Sequence, residues 1–139
     1  MAHPTMYTEH DPYLAELRAI CLSFPEAVEV EAWGRPTFRA GKRIFAVFND
    51  TIHADGDVGV DTTDRATVPY SVVFKPDIEE HPALVADPRF YLPPYFHRGG
   101  WLGLRFTVAP VEWDEVGELM ENSYRLMALK RMLRVLDDV

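Results

Sequence analysis

The alternation of apolar and polar residues predicts a first helix near the start of the chain. Asp11 and Pro12 are typical of a helix start, with Asp11 as the N-cap and Pro12 at the first helical position. Apolar residues then follow at helical spacing on one side, and Pro25 ends the pattern: Leu14, Leu17, Cys21 and Phe24. Residues 1–10 lack this periodicity and are expected to form a loose lead-in.

The next part of the chain predicts short strands joined by tight turns. Val28 and Val30 alternate with glutamates, the stretch Trp33-Gly34-Arg35-Pro36 is predicted to turn the chain, and Gly41-Lys42 is typical of a tight turn. Between and after these turns come the short run 37–40 and the β-prone run 43–48, RIFAVF. The runs 68–75 and 101–107 predict two more strands. The polar, acidic segment 49–67, between the runs 43–48 and 68–75, is predicted to be an extended hairpin or loop.

The C-terminal part predicts a short helix, a proline-aromatic segment and one last long helix. The short helix is predicted to begin at Asp77 or, because Pro82 lies inside it, to start or break near His81. The apolar stripe of that last helix is clear: Trp113, Val116, Met120, Tyr124 and Met127. Its acidic residues come early and its basic residues late, an order that complements the helix dipole. No internal repeat or boundary divides the chain, so residues 1–139 are predicted to be a single domain.

Composition narrows the class of protein. The chain has 139 residues and a formal net charge of -8, which argues against a generally basic, nucleic-acid-binding surface but leaves room for a local cationic patch. Cys21 is the single cysteine, so neither an internal disulfide nor a cysteine-based metal site is expected. The N-terminus does not resemble a secretory signal, and no apolar run is long enough for a membrane span. A cytoplasmic protein is therefore expected.

The motifs of common enzymes are missing from the sequence. It contains no Gly-x-Ser-x-Gly elbow, no His-Glu-x-x-His pair, no Walker A loop and no dinucleotide fingerprint. His53, Asp55 and Asp57 alternate in the acidic segment, but their spacing does not match a calcium-binding loop. We therefore expect a non-enzymatic protein without a metal or cofactor.

Four segments carry a family resemblance: FPEAVEVEAWGRPTFRAGKRIFAVF (24–48), SVVFKP (71–76), YLPPYFHRGGWLGLRF (91–106) and VEWDEVGELMENSYRLMALKR (111–131). In this order and spacing they resemble the MmcQ/YjbR-like family of small bacterial domains. The acidic segment 49–67 is longer than that pattern expects. The resemblance implies a two-layer α+β fold of the frataxin type, in which an antiparallel sheet packs against N- and C-terminal helices. It also implies DNA binding of the double-wing type.

If the protein binds DNA, lysine and arginine side chains should contact the phosphates, and the sequence contains two groups of such residues. Four lie within nine residues around the Gly41 turn, where they are predicted to form a phosphate-contacting hairpin tip, and two more bracket the Trp101 strand. The candidate residues are Arg35, Arg39, Lys42, Arg43, Arg98 and Arg105. Ordinary solvated turn charge is the alternative interpretation.

A second function is compatible with the same sequence. Aromatic side chains with an arginine nearby are typical of sites that bind a small molecule or a protein partner. The candidate groove residues are Trp33, Tyr91, Tyr95, Phe96, His97 and Trp101. Core packing of the tryptophans and self-association of the domain both stay open at this point, and the sequence does not define an oligomeric state.

Overall fold

The computed structural model describes residues 5, 7–49, 70–94 and 96–138. A six-stranded sheet, antiparallel at every pairing, has the order β1-β2-β3-β4-β6-β5. Its strands are β1 (Ala27–Ala32), β2 (Arg35–Ala40), β3 (Arg43–Phe48), β4 (Ser71–Phe74), β5 (Phe90–Tyr91) and β6 (Leu102–Arg105). The helices are α1 (Leu14–Cys21), α2 (His81–Val85), α3 (Trp113–Met127) and α4 (Lys130–Asp137). The predicted α+β class with an antiparallel sheet is confirmed.

Helices α1 and α3 pack against one side of the sheet, called here the helix side. The main core lies between these layers and includes Phe38, Phe45, Phe74 and Leu102 from the strands and Tyr124 from α3. The rings of Phe45 and Tyr124 meet edge to face at 5.5 Å, and the Tyr124 hydroxyl donates to the Pro25 carbonyl at 2.6 Å. Burial of these large apolar side chains is the main force that holds the two layers together.

A β-bulge in β3 determines which side chains enter this core. Phe38 pairs with Ala46 but Arg39 pairs with Ile44, so Phe45 has no partner position on β2. Because of this additional residue, Phe45 and Ala46 both face the helix side while Ile44 faces the opposite side. Ser123 of α3 is buried here. Its Oγ donates to the Phe45 carbonyl at 2.6 Å and accepts from the Lys75 N–H at 3.0 Å.

The edge strand β1 sends its acidic side chains to the helix side. Arg18 of α1 forms a two-pronged ion pair with Glu29 at 2.7 and 2.9 Å and also contacts Glu9 at 3.1 Å. The Tyr7 hydroxyl donates to Glu31 at 2.9 Å. Val28 and Val30 consequently lie on the other side of the sheet, where 44% and 39% of their surfaces are exposed.

Two helix boundaries differ from the sequence prediction. Helix α1 begins after Tyr13 rather than at Pro12, because the Asp11 carboxylate accepts hydrogen bonds from the backbone and hydroxyl of Thr8 instead of capping the helix. The predicted last long helix is two helices, since Ala128 and Leu129 have extended backbone. Lys130 and Arg131 therefore begin α4 and do not complement the dipole of α3. Arg131 pairs instead with Glu26 at 2.9 Å.

Two further expectations concern the acidic segment and the possibility of a membrane span. The acidic segment lies outside the described residues from position 50 to position 69, together with its candidate ligands His53, Asp55 and Asp57. Within the described part of the chain, no helix has the length and apolarity needed to cross a membrane.

The Ser123 bridge leads to a stability prediction. Replacement by alanine leaves the Phe45 carbonyl and the Lys75 N–H without their partner in a buried setting. We expect Ser123→Ala to lower the free energy of unfolding by about 1–3 kcal/mol, measured by urea denaturation. Ser23→Ala is the matched control, because Ser23 is exposed and its hydroxyl donates to the nearby Ile20 carbonyl; its effect should stay within about 0.5 kcal/mol. Equal effects of the two substitutions would contradict a structural role for the bridge.

Candidate functional site

The side of the sheet opposite α1 and α3, called here the outer face, carries one continuous row of side chains. The strand registers align one residue from each strand in this row: Val30, Thr37, Val47, Val73, Gly103 and Tyr91. Val47 and Val73 are buried, and with Tyr91 they form a second, smaller core. The outer face is therefore partly covered rather than open along its whole width.

Tyr91 crosses the row because Gly103 has no side chain. A Cβ at Gly103 would lie 2.2 Å from Cε1 of Tyr91, so the tyrosine ring rests directly on the glycine backbone of β6. In this position the Tyr91 hydroxyl reaches Ser71 of β4, 3.1 Å from its Oγ. The Arg105 guanidinium lies over the same ring, 5.2 Å from its centroid.

The segment that follows β5 passes over the outer face and forms an aromatic ridge with the turn at the far edge. The ridge consists of Trp33, Phe96 and Trp101: Phe96 lies 5.3 Å from Trp101 and 6.5 Å from Trp33, measured between ring centroids. A 3₁₀ turn, His97–Gly99, and the left-handed Gly100 (φ 87°) return the chain to β6. Trp33 occupies the two-residue turn between β1 and β2, where both Trp33 and Gly34 have positive φ, 55° and 78°.

Three arginines of the predicted nucleic-acid set lie on the outer face. Arg39 pairs with Ile44 on one side of the central row, and its Nε donates to Thr37 Oγ1 at 3.2 Å. Arg105 pairs with Ser71 on the other side of that row. Its Nε is buried and has no hydrogen-bond partner in the described part of the chain. Arg35 begins β2, about 13 Å along the strand from Arg39 at 3.3 Å per residue.

The predicted hairpin tip is therefore not a single cluster. Lys42 occupies the exposed turn between β2 and β3, but Arg43 pairs with Ala40 and shares the helix side with it. Arg98 is exposed in the 3₁₀ turn beside the ridge. Residues that are close in sequence separate here because side chains alternate between the two faces of a strand.

The predicted aromatic set is only partly assembled. The structure brings Phe96 into contact with both Trp33 and Trp101 and places Tyr91 in the smaller core, against which Phe96 and Trp101 pack. His97 is exposed at the start of the 3₁₀ turn. Tyr95 lies outside the described residues.

Charge is divided between the two sides of the sheet. The acidic residues of the six described strands are Glu29 and Glu31, and both face the helix side. Four arginines are bound to carboxylates at helix-side or edge positions: Arg18, Arg89, Arg125 and Arg131. By contrast, Arg39, Lys42, Arg98 and Arg105 form no ion pair with any residue that the structure describes.

The helix side also has an open groove with a volume of about 720 Å³ between α1 and α3. Its apolar floor includes Phe24 and Trp113, and its rim carries Asp114, Glu118 and Glu121. This groove is negative where the outer face is positive, so an anionic partner is favoured on the outer face alone.

Nothing in the described residues forms a recognisable reaction centre. Burial raises the pKa of the Cys21 thiol well above its usual value, so this cysteine is held in its unreactive protonated form. In the ranges that the structure covers, no three His, Cys, Asp or Glu side chains are grouped as metal ligands.

Comparison with known proteins assigns the family. The YjbR family profile matches residues 22–126, most of the chain. The chain belongs to the YjbR family. Among solved structures, the chain is similar to the crystal structure of a Pseudomonas syringae protein from a structural genomics consortium, with a TM-score of 0.53 and 18% identity over 73% of this chain and 87% of that one. At this identity the likeness shows the fold alone. A comparison with curated proteins found no match.

Sequence reasoning missed several residues that shape the outer face of this YjbR-family protein. Val28 and Val30 extend its exposed apolar surface, Thr37 orients Arg39, and Ser71 anchors Tyr91. The Val-Glu alternation of β1 signals a two-sided strand, but it does not say which side meets the helices. The pairing of Arg18 with Glu29 decides that question, and it is visible only in three dimensions.

The contact between Tyr91 and Gly103 predicts an unusual response to alanine. Gly103→Ala forces the Tyr91 ring off β6 and breaks its contact with Ser71, so we expect a loss of about 1–3 kcal/mol in the free energy of unfolding. Gly117→Ala in α3 is the matched control. A Cβ there meets nothing within 4 Å, and removing a glycine from a helix should stabilise by about 0.5–1 kcal/mol. The two variants should shift the urea midpoint in opposite directions, and a shift in the same direction would refute the close contact.

Proposed function

We propose that this YjbR-family chain is a non-enzymatic, cytoplasmic DNA-binding domain of a bacterium and that its DNA contact is the outer face. The observation that carries the proposal is a set of cations that form no ion pair with a described residue: they lie on and beside a sheet face on which the described strands place no carboxylate. Family membership agrees with a small bacterial domain of this kind.

The formal net charge of -8 does not oppose binding when charge is segregated. Local potential, not net charge, governs the approach of a polyanion at physiological ionic strength, because exposed charges more than about 8 Å apart are largely screened. Glu29 and Glu31 are directed to the helix side, and each has a hydrogen-bond donor there. The outer face therefore meets a phosphate backbone with arginine and lysine.

The residues have different expected roles. Arg39 lies half-buried on the sheet, and its Nε is already held by Thr37, so the rest of its guanidinium is presented with little loss of side-chain entropy. Lys42 and Arg98 are exposed on turns at the rim and suit phosphate contacts. Arg43 faces the helix side and is expected to contribute less.

The test is fluorescence anisotropy with a labelled DNA duplex at about 50 and 200 mM salt, the range in which counterion release changes affinity strongly. Arg39→Ala/Lys42→Ala is compared with Lys130→Ala/Arg134→Ala. Each pair removes two positive charges, and neither Lys130 nor Arg134 forms an ion pair with a described residue. We expect the first pair to weaken binding and to reduce the slope of log K against log salt by about 1.8, and the second pair to change little.

Two results would count against the proposal. Equal weakening by both pairs would mean that general charge attraction, and not the outer face, governs binding. Absence of binding at the lower salt concentration would refute DNA binding itself, since electrostatic attraction is strongest there. Arg43→Ala adds a finer comparison, because a contact through the turn alone would make it as damaging as Lys42→Ala.

A second candidate function is binding of a small molecule or protein partner at the aromatic ridge. It is favoured by the exposure of large apolar side chains around that ridge, including Trp33 with 44% of its surface exposed. Such a ligand would retain its affinity in Arg39→Ala/Lys42→Ala at high salt, whereas a DNA complex would not.

A further inference from the structure

We propose that the outer face prefers single-stranded nucleic acid and stacks unpaired bases on the aromatic ridge. This inference rests on the proposed function and names its substrate class. The outer face carries exposed aromatic side chains beside Arg39 and Arg105, two arginines that form no ion pair with a described residue. Phosphate contacts would use the arginines but not the aromatic rings.

The ridge presents an aromatic surface to solvent. Trp33 projects from a two-residue turn and keeps 44% of its surface exposed, although it contacts Phe96. Phe96 and Trp101 are half-buried, so they are held by packing while part of each ring stays accessible. Aromatic rings fixed in this way offer stacking platforms, and stacking tolerates any base because every base has a π-face.

The arginines lie on both sides of the central row. Arg39 is displaced from it toward Ile44, and Arg105 is displaced toward Ser71, in the opposite direction. Three strand spacings and four residues along the strands separate them, which corresponds to roughly 19 Å. A nucleic-acid strand whose phosphates contacted both arginines would cross the outer face beside the aromatic ridge.

The form of the surface distinguishes a single strand from a duplex. In a duplex the flat faces of the bases are stacked inside the helix, and its exterior offers phosphates and groove edges. The exposed aromatic rings of the outer face would therefore find no base face to stack on at the surface of a duplex. An unpaired strand offers both base faces and phosphates, and so it uses the ridge and the arginines together.

The experiment measures the affinity of the full chain for a labelled oligothymidylate of about 12 nucleotides, within the site sizes common for single-strand binders, and for a duplex of the same length. Trp33→Asn removes the aromatic ring but keeps the turn, because Asn-Gly is the preferred pair when both turn residues have positive φ. Leu129→Ala is the matched control, since Leu129 exposes 48% of an apolar side chain at the start of α4, away from the ridge.

We expect tighter binding of the single strand than of the duplex, with a loss of about fivefold or more in Trp33→Asn and no change in Leu129→Ala. The strand should also quench tryptophan fluorescence, less in Trp33→Asn and undiminished in Trp113→Phe, because Trp113 packs on Phe106 at the helix side.

The outcomes separate this inference from the function on which it rests. Equal affinity for strand and duplex with no effect of Trp33→Asn would overturn base stacking and leave DNA binding intact. Tighter binding of the duplex would do the same. Failure of both nucleic acids to bind at low salt would overturn both proposals.

Discussion

The additional residue in β3 determines the chemical character of both faces of the sheet. With Phe45 outside the pairing register, two successive residues enter the helix-side core, and the alternation resumes with Ile44 beside Arg39 on the outer face. Without the bulge, Phe45 would lie on the outer face and Ile44 would face the helices. The bulge is held by Ser123, whose hydroxyl satisfies one backbone group on β3 and one just after β4. Buried backbone groups need such partners, so helix packing and strand register depend on each other here.

The second face is organised by a small residue rather than a large one. Gly103 allows the Tyr91 ring to lie across β6, and Val47, Val73 and Tyr91 are then buried under the segment that carries Phe96 and Trp101. The same segment brings Phe96 to Trp33 at the opposite edge of the sheet. An antiparallel sheet commonly leaves one face to solvent. In this chain the second face is partly covered, and the cover itself presents the aromatic ridge.

The edge strand β1 combines protection with exposure. Glu29 is directed inward to Arg18, and Glu31 is held by Tyr7, so the helix side of the edge is charged and occupied. Charged groups at an edge discourage pairing with a second sheet. The outer side of the same strand carries exposed Val28 and Val30 next to Arg39. An apolar surface next to a positively charged arginine suits a partner that has both apolar and negatively charged groups better than a purely polar one.

Local patterns in the sequence determined the element types, because apolar periodicity and turn chemistry act over a few residues. The strand Arg43–Phe48, the turn at Gly41-Lys42 and the apolar stripe of α3 all follow from such patterns. The turn predicted over residues 33–36 is two residues shorter, because Arg35 and Pro36 already pair with β1, and α2 begins at His81, the later of its two predicted starts. The family and the α+β class followed from the same segments. Tertiary structure decided the division of α3 from α4, the side on which each cation lies, and the contacts between Trp33, Phe96 and Trp101. The physical reason is that strand pairing sets the faces of the sheet, while the break at Ala128 and Leu129 and the aromatic contacts depend on packing between distant parts of the chain. A bulge of one residue exchanges the two faces, and contacts between residues far apart in sequence leave no local periodicity.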